Sequence, residues 1–469
     1  MRYVVLLISL LSSILIGEIY DFVPSDFDLV LVIKNVEGNY TRFKNLPLGS
    51  FIFGGEGVGM EYIALEILDD VEKDSGISKN VFLDSISKEI MICAKGMTLD
   101  FNSLTSLDLN YYIDILRNLG SNTLLVMRSA SPDELMEFIS DLLGLNLERE
   151  EGYYVLRDDV VAIYSKTQDG YILMSGGKAS IESAIVAYTH GENFIKAHPD
   201  SKKVLDEDAF VVGYFRGDSF KIDMGINVEK SSPDMETEKF ELVGRVLKDK
   251  ISILVKQYVK GDLEKPKEYL TSSGDMGNLP KLGNYYFGAS AKGSKAVLDA
   301  IMSWFSGKSE ELDRMAEVVG TILEHSKGKV YIAGDIVEAS TVTFAVIFDL
   351  DGGMEDITSV LEKNGARVYD SSWRMEIGNT QIYFFNAGGR FVMTNLEKEK
   401  YVKLLGREKL KEDPTYSYFV LKLPEKDMSR GFVDVGDILE KLVGIKVSSK
   451  MIFFQTYKDG IFLYDLEVM

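Results

Sequence analysis

Cysteine is almost absent from this chain: Cys93 stands alone among 469 residues, so no internal disulfide can form and no thiolate pair is available to a metal. Cys93 lies in the apolar run Ile90-Met91-Ile92-Cys93-Ala94, which reads as a strand and predicts a buried, inert thiol. Histidine is nearly as scarce. His190, His198 and His325 are the only imidazoles, and none has another at metal-ligand spacing. No Gly-x-Ser-x-Gly elbow is present to anchor a Ser-His-Asp arrangement. Positive charge is the other deficit: 52 basic side chains face 73 acidic ones, for a formal charge of -21 and a pI near 4.8. Such a surface repels phosphate backbones and anionic headgroups, and no basic cluster along the sequence overcomes it. Nucleic acid is therefore excluded as a partner.

Long apolar runs are missing, with one exception at the start. Met1 and Arg2 precede an uncharged run from Val4 to Ile16, after which Glu18 and Asp21 restore polarity. The run is shorter than the roughly 18 apolar residues of a membrane span and has the layout of a secretory signal. The expectation is a signal peptide over residues 1–17 and a periplasmic or extracellular location, with no further membrane span. Gly17 suits the last position before cleavage, whereas Leu15 is a poor residue two places earlier. Retention by an uncleaved N-terminal segment is the alternative.

What is present is the composition of a packed protein, 46% hydrophobic and 11% aromatic, in a chain long enough for two or three domains. An internal repeat argues for two. Ile163, Tyr164, Gly170, Met174 and Ser175 recur about 220 residues later as Ile382, Tyr383, Gly389, Met393 and Thr394. Pro24 and Pro280 each lead into a strand, at Asp28 to Ile33 and at Asn284 to Ala289. Residues 261–280 hold Gly261, Pro266, Ser272, Ser273, Gly274, Gly277 and Pro280 among charges, the composition of a linker. The predicted domains are therefore residues 18–260 and 281–469.

Each half runs through the same predicted order: helix, two strands, helix, a three-stranded meander with the shared glycine at its second turn, helix, strand and hairpin. The helix beginning at Pro132 carries a capping box, Ser131 with Glu134, and can close at Gly144. The last strands are placed at Ala209 to Phe215 and at Tyr418 to Leu423. The fold class is α+β: two tandem, internally related domains, each a mainly antiparallel sheet with helices packed on one face.

One stretch resembles a catalytic motif. Ala345-Val346-Ile347-Phe348-Asp349-Leu350-Asp351-Gly352 is similar to the first motif of haloacid dehalogenase-type phosphatases, with Asp349 as nucleophile, Asp351 handling the leaving-group proton and Mg²⁺ between carboxylate and phosphate. Thr394, ending Phe391-Val392-Met393-Thr394, looks like that family's second motif, and Val435-Gly436-Asp437 loosely like its last. Against it, Gly353 replaces the expected Thr, and Thr394 follows a tight antiparallel turn where that fold needs parallel strands. The repeat places Arg128, Ser129 and Ser131 where Phe348, Asp349 and Asp351 stand, so the first copy lacks the nucleophile. A calcium loop counted from Asp349 fails, with Met354 in place of the turn glycine and Val360 in place of the bidentate Glu. Gly54, Gly55, Gly57 and Gly59 precede a helix starting near Met60, but without the spacing or βαβ context of a nucleotide loop.

The signal, the proline-led strands at Pro24 and Pro280 and the long α+β halves together resemble a family of exported bacterial proteins known only as a domain of unknown function. That resemblance implies an extracytoplasmic location and carries no catalytic residues. The leading expectation is a non-enzymatic envelope protein that binds or scaffolds an envelope protein or a small ligand, with no catalytic residue, cofactor or metal. A Mg²⁺-dependent phosphatase using Asp349 and Asp351 with Thr394, and a small-ligand binder using a cleft between domains, are the alternatives.

Overall fold

The computed structural model describes residues 18–55, 57–100, 120–217, 219–221, 235–272, 276–293, 310–338 and 341–469. The expected signal, residues 1–17, lies outside them. Among the described residues no helix is long and apolar enough to cross a membrane. The chain divides into two compact units, one drawn from Met1–Ile222 with Thr237–Val255, the other from Asp223–Glu236 with Lys256–Met469.

The main strands of the first unit are β1 (Leu29–Lys34), β2 (Glu89–Ala94), β3 (Thr123–Arg128), β4 (Asn146–Glu150), β5 (Tyr153–Arg157), β6 (Ala162–Gln168), β7 (Tyr171–Ser175), β8 (Val211–Arg216) and β9 (Met235–Val246). They lie in the order β9-β8-β1-β2-β3-β7-β6-β5-β4, every neighbour antiparallel. β9 begins two residues before its unit resumes at Thr237, and β10 (Ile251–Gly261) crosses the other boundary, which falls after Val255. The second unit contains β11 (Tyr285–Ser290), β12 (Ser326–Glu338), β13 (Thr341–Leu350), β14 (Arg367–Tyr369), β15 (Ser372–Ile377), β16 (Thr380–Ala387), β17 (Arg390–Thr394), β18 (Ser429–Val433), β19 (Met451–Lys458) and β20 (Ile461–Val468). Their order is β20-β19-β18-β11-β12-β13-β17-β16-β15-β14, again antiparallel throughout. The fold is α+β.

Strand order and register run alike in the two units. Tyr164 faces Ser175 as Tyr383 faces Thr394, and the turns between use Gly170 at φ 81° and Gly389 at φ 80°, a left-handed backbone that glycine adopts without steric cost. Pro24 forms an isolated bridge to Asn193, and Pro280 one to Lys409. Gly213 on β8 and Gly431 on β18 both lie under aromatic rings: a Cβ would sit 2.6 Å from the Phe215 ring or 2.0 Å from the Phe453 ring.

Helices cover both faces of each sheet, not one as the sequence suggested. In the first unit Leu124 and Val126 join a core with Phe22, Ile181 and Ala184, while Leu125 and Met127 join another with Leu135, Met136 and Ile139. The helices concerned are α4 (Asn80–Ser87) and α5 (Pro132–Leu143) on one side and α6 (Lys178–His190) on the other. Strands buried on both faces need near-continuous apolar runs, and Leu29 to Ile33 and Leu124 to Met127 are such runs. In the second unit Ala345 and Ile347 pack with Tyr401 and Tyr416, whereas Val346 and Phe348 are buried on the opposite face. α8 (Glu310–Glu324) and α9 (Met354–Lys363) supply Val318, Ile322, Ile357 and Leu361 to the unit's buried residues.

Three local expectations also change. Residues 261–280, read as a linker, carry a short 3-10 turn at Lys265–Tyr269 and place Met276 and Leu279 in the second unit's core. The capping box at Ser131 does not close, because the Ser131 N-H donates to Ser129 Oγ at 3.2 Å and the Ser131 side chain caps nothing. Tyr418 to Leu423 is not a strand: Asp413 caps a helix, α11 (Pro414–Val420), accepting from the N-H groups of Thr415 and Tyr416, and the strand comes later as β18. Aspartate followed by proline is a helix start that outweighs the β-prone aromatics behind it.

Candidate functional site

The structure separates the residues of the phosphatase alternative. Asp349 is the penultimate residue of β13 and its Oδ1 accepts from Arg390 Nε at 2.9 Å. Asp351 is exposed in the next loop, 3.1 Å from Lys327, while its N-H donates to the His325 carbonyl. Thr394 is fully buried, donates to the Phe344 carbonyl and accepts from Leu396 N-H. Because β13 and β17 run antiparallel with Ala345 opposite Thr394, Asp349 lies four residues along the strand, roughly 13 Å away at about 3.4 Å per residue. Asp437 is on another helix, accepting from Asn284 and paired with Lys441. A nucleophile, its acid partner and the phosphate-binding Thr do not converge, and the parallel sheet that chemistry is built on is replaced by an antiparallel one.

The three histidines stand apart from one another and from these acids, His325 excepted. His190 is exposed at the end of α6, with Nδ1 3.2 Å from the Val186 carbonyl. His198 packs against Phe194 and Tyr214, with its Nε2 buried and making no hydrogen bond among the described residues. His325 pairs with Asp356 at 3.1 Å, its ring filling the space where a Gly353 side chain would be. Burial leaves the Cys93 thiol with its pKa pushed far up, as an inert core thiol should be. The glycines at 54–59 join two helices, α2 (Pro47–Phe53) and α3 (Met60–Ser75), and form no strand-to-helix phosphate turn. Among the described residues no group of three or more His, Cys, Asp or Glu is placed to hold a metal.

Asp349 belongs instead to a polar row across one end of its sheet. In the first unit Lys34 faces Glu89 on neighbouring strands, and Arg128 faces Tyr171. Arg128 Nε donates to Glu89 at 3.0 Å, and its Nη2 donates to the Tyr171 hydroxyl at 2.6 Å. In the second unit Ser290 faces Lys329, and Asp349 follows the Phe348–Phe391 pair that brings it to Arg390. Register therefore sets Arg128 opposite in role to Asp349 itself, one residue from where the sequence repeat had aligned it. The row is a set of ion pairs whose signs differ between units.

At the corner of this row the units diverge. The Lys34 N-H donates to the Phe210 carbonyl, and the Ser290 N-H to that of Met428, so Ala209 and Asp427 stand at matching positions. Asp427 is completely buried and pairs with both Lys329 and Arg430, themselves 3% and 1% exposed. Where Ala209 stands, the first unit has a cavity of about 350 Å³ lined by Lys34, Asn35, Asn39, Arg42, Asp208 and Arg245, among others. Asn39 and Arg42 share one face of α1 (Val36–Lys44), three residues apart, and Asn35 stands at its N-cap. Sequence reasoning missed this site because its cations come from three separate elements, and only the strand register that joins them could have shown it.

No family model and no curated protein matches the chain. Two solved structures, crystal forms III and I of TP0453, align with 52% of this chain at TM-scores of 0.29 and 0.27, with 11% and 8% identity over 80% and 79% of their own length. Likeness at that level carries no argument about fold or function.

Proposed function

We propose that the protein is exported and acts in the cell envelope as a non-enzymatic binding or scaffolding protein built from two copies of one ancestral unit. The matching strand orders, the bridges at Pro24 and Pro280 and the paired glycines Gly213 and Gly431 support the duplication. The run from Val4 to Ile16 supports export. The observation that carries the binding reading is the sheet corner: one unit fills it with a buried ion triad, and the other leaves it open as a polar cavity of ligand size.

Two measurements test this. The N-terminal segment fused to a reporter enzyme that folds only outside the cytoplasm should yield active reporter, and an inactive reporter would end the export reading. Purified full chain should turn over none of a panel of phosphate, ester, peptide and glycoside substrates. Mg²⁺-dependent phosphatase activity abolished by Asp349→Asn would restore the enzyme alternative.

A further inference from the structure

We propose that the corner cavity of the first unit, beside Ala209, binds an oxyanion, a phosphate or carboxylate group. The assignment deepens the binding reading and names its ligand class.

In the second unit one carboxylate lies between two buried cations. In the first, the position of that carboxylate is a methyl group, Ala209, while three cations, Lys34, Arg42 and Arg245, line the space beside it. Lys34 Nζ donates to the carbonyls of Leu205 at 2.5 Å and Glu207 at 3.3 Å, which leaves one ammonium hydrogen for a ligand. Arg42 is exposed and has no ion-pair partner among the described residues. Arg245 is held by Glu207 at 2.8 Å, which fixes its guanidinium at the cavity. Asn39, 6% exposed, spends its amide hydrogens on the carbonyls of Lys34 and Asn35 and so anchors the helix that carries Arg42. Asp208 is the single acid in the lining, and it is exposed, where water screens its repulsion of an anion; outside the lining Asp206, Glu89 and Glu18 also act on Lys34, and Glu207 is taken up by Arg245. Burial pushes the Lys34 ammonium below its usual value, a penalty that a bound anion would offset. In a chain of charge -21 such a concentration of cations is local, so the ligand is a small anion and not a polyanion.

The experiment is calorimetric titration of the full chain with inorganic phosphate, glycerol 3-phosphate and succinate in turn, at constant ionic strength against chloride. Saturable binding of at least one is expected. Preference for the phosphate ester points to a headgroup-like or metabolite source, preference for inorganic phosphate to the free ion, and preference for succinate to a carboxylate ligand. Arg42→Ala, an exposed substitution, should weaken binding about tenfold, the loss of one charge-assisted contact. Ala209→Asp should supply the carboxylate from the protein and abolish binding. The proposal is overturned if none of the three anions binds at millimolar concentration, or if Arg42→Ala binds as tightly as the parent chain. That outcome leaves the export and turnover tests untouched, so its failure is distinguishable from failure of the broader reading.

Discussion

The first unit places Lys239 against Asp200 and over the Tyr214 ring, and the second places Lys450 against Asp413 and over the Phe432 ring. In each, the acid precedes a short helix, α7 (Ser201–Leu205) or α11, and the lysine lies in, or immediately before, the strand next to the aromatic: Lys239 within β9, Lys450 one residue ahead of β19. This pin ties a helix start to the edge of the sheet, and both units keep it. The sheet corner behaves differently: Ala209 answers to Asp427, and Glu89 on β2 to Lys329 on β12. What is held constant is what the fold needs in order to close. What varies is where a charge has no structural duty in one unit and an obligatory one in the other.

The sharpest way to break this comparison is to remove the buried acid. Asp427→Ala removes the buried carboxylate that Lys329 and Arg430 share, and should destabilise the second unit by about 3–5 kcal/mol. Denaturant unfolding measures it. Glu89→Ala in the first unit should cost about 1 kcal/mol or less, because Glu89 and Arg128 are 23% and 35% exposed and water can take over the contact. Equal losses would mean that the two corners are not built differently.

The paired glycines come next. Gly431→Ala places a Cβ 2.0 Å from the Phe453 ring, and Gly213→Ala one 2.6 Å from that of Phe215. Each forces a ring from its packing at a cost of about 1–3 kcal/mol, with the larger loss expected at Gly431. A neutral result at both positions would show that the close approach does not constrain the strands.

Acid titration separates the two pins. Burial works to raise both carboxyls, but at Asp413 the Lys450 ammonium and two backbone N-H groups outweigh it, and at Asp200 the Lys239 ammonium and Tyr214 hydroxyl do. Both are held below the ordinary 3.8, so on acidification the unfolded chain takes up the proton first. Their stabilisation is complete above the ordinary carboxylate range and is lost as pH falls through each lowered value. Asp413, with its side chain 5% exposed, should carry more of the acid sensitivity than Asp200 at 53%. Asp413→Asn should therefore flatten the stability profile below pH 5 more than Asp200→Asn, as followed by thermal melting.

Much of this was legible beforehand. The strand led in by Pro24 and the helix from Pro132 to its closing Gly144 are plain in the sequence, since a branched apolar run marks the one and a proline-to-glycine frame the other. Tyr418 to Leu423 was not, because its aromatics suit a strand by propensity while Asp413 and Pro414 dictate a helix by capping. The repeat itself held the correction: Gly213 on β8 corresponds to Gly431, which would have moved the strand to Ser429–Val433. Two-sided burial is written in the unbroken apolar runs, whereas hairpin-joined antiparallel strands by themselves suggest the commoner one-sided pattern. The cavity was not readable at all, since Lys34, Arg42 and Arg245 meet only once β1, α1 and β9 are in register.

The smallest expected effect falls on the residue that looked most chemical. Asp349 and Arg390 are 28% and 22% exposed and form one ion pair at a strand end, where Arg128 and Glu89 form theirs in the first unit. Asp349→Asn keeps a hydrogen-bond acceptor for Arg390 Nε and removes one charge from a partly solvated pair, so the loss should stay within about 1 kcal/mol. A catalytic carboxylate would behave in the reverse manner, because such groups are commonly strained against their surroundings and their neutralisation often spares or raises stability while ending turnover. Measuring unfolding and Mg²⁺-dependent phosphate release on the same variant therefore discriminates the two roles. A small destabilisation with no change in activity places Asp349 in the row of ion pairs that both units share with opposite signs.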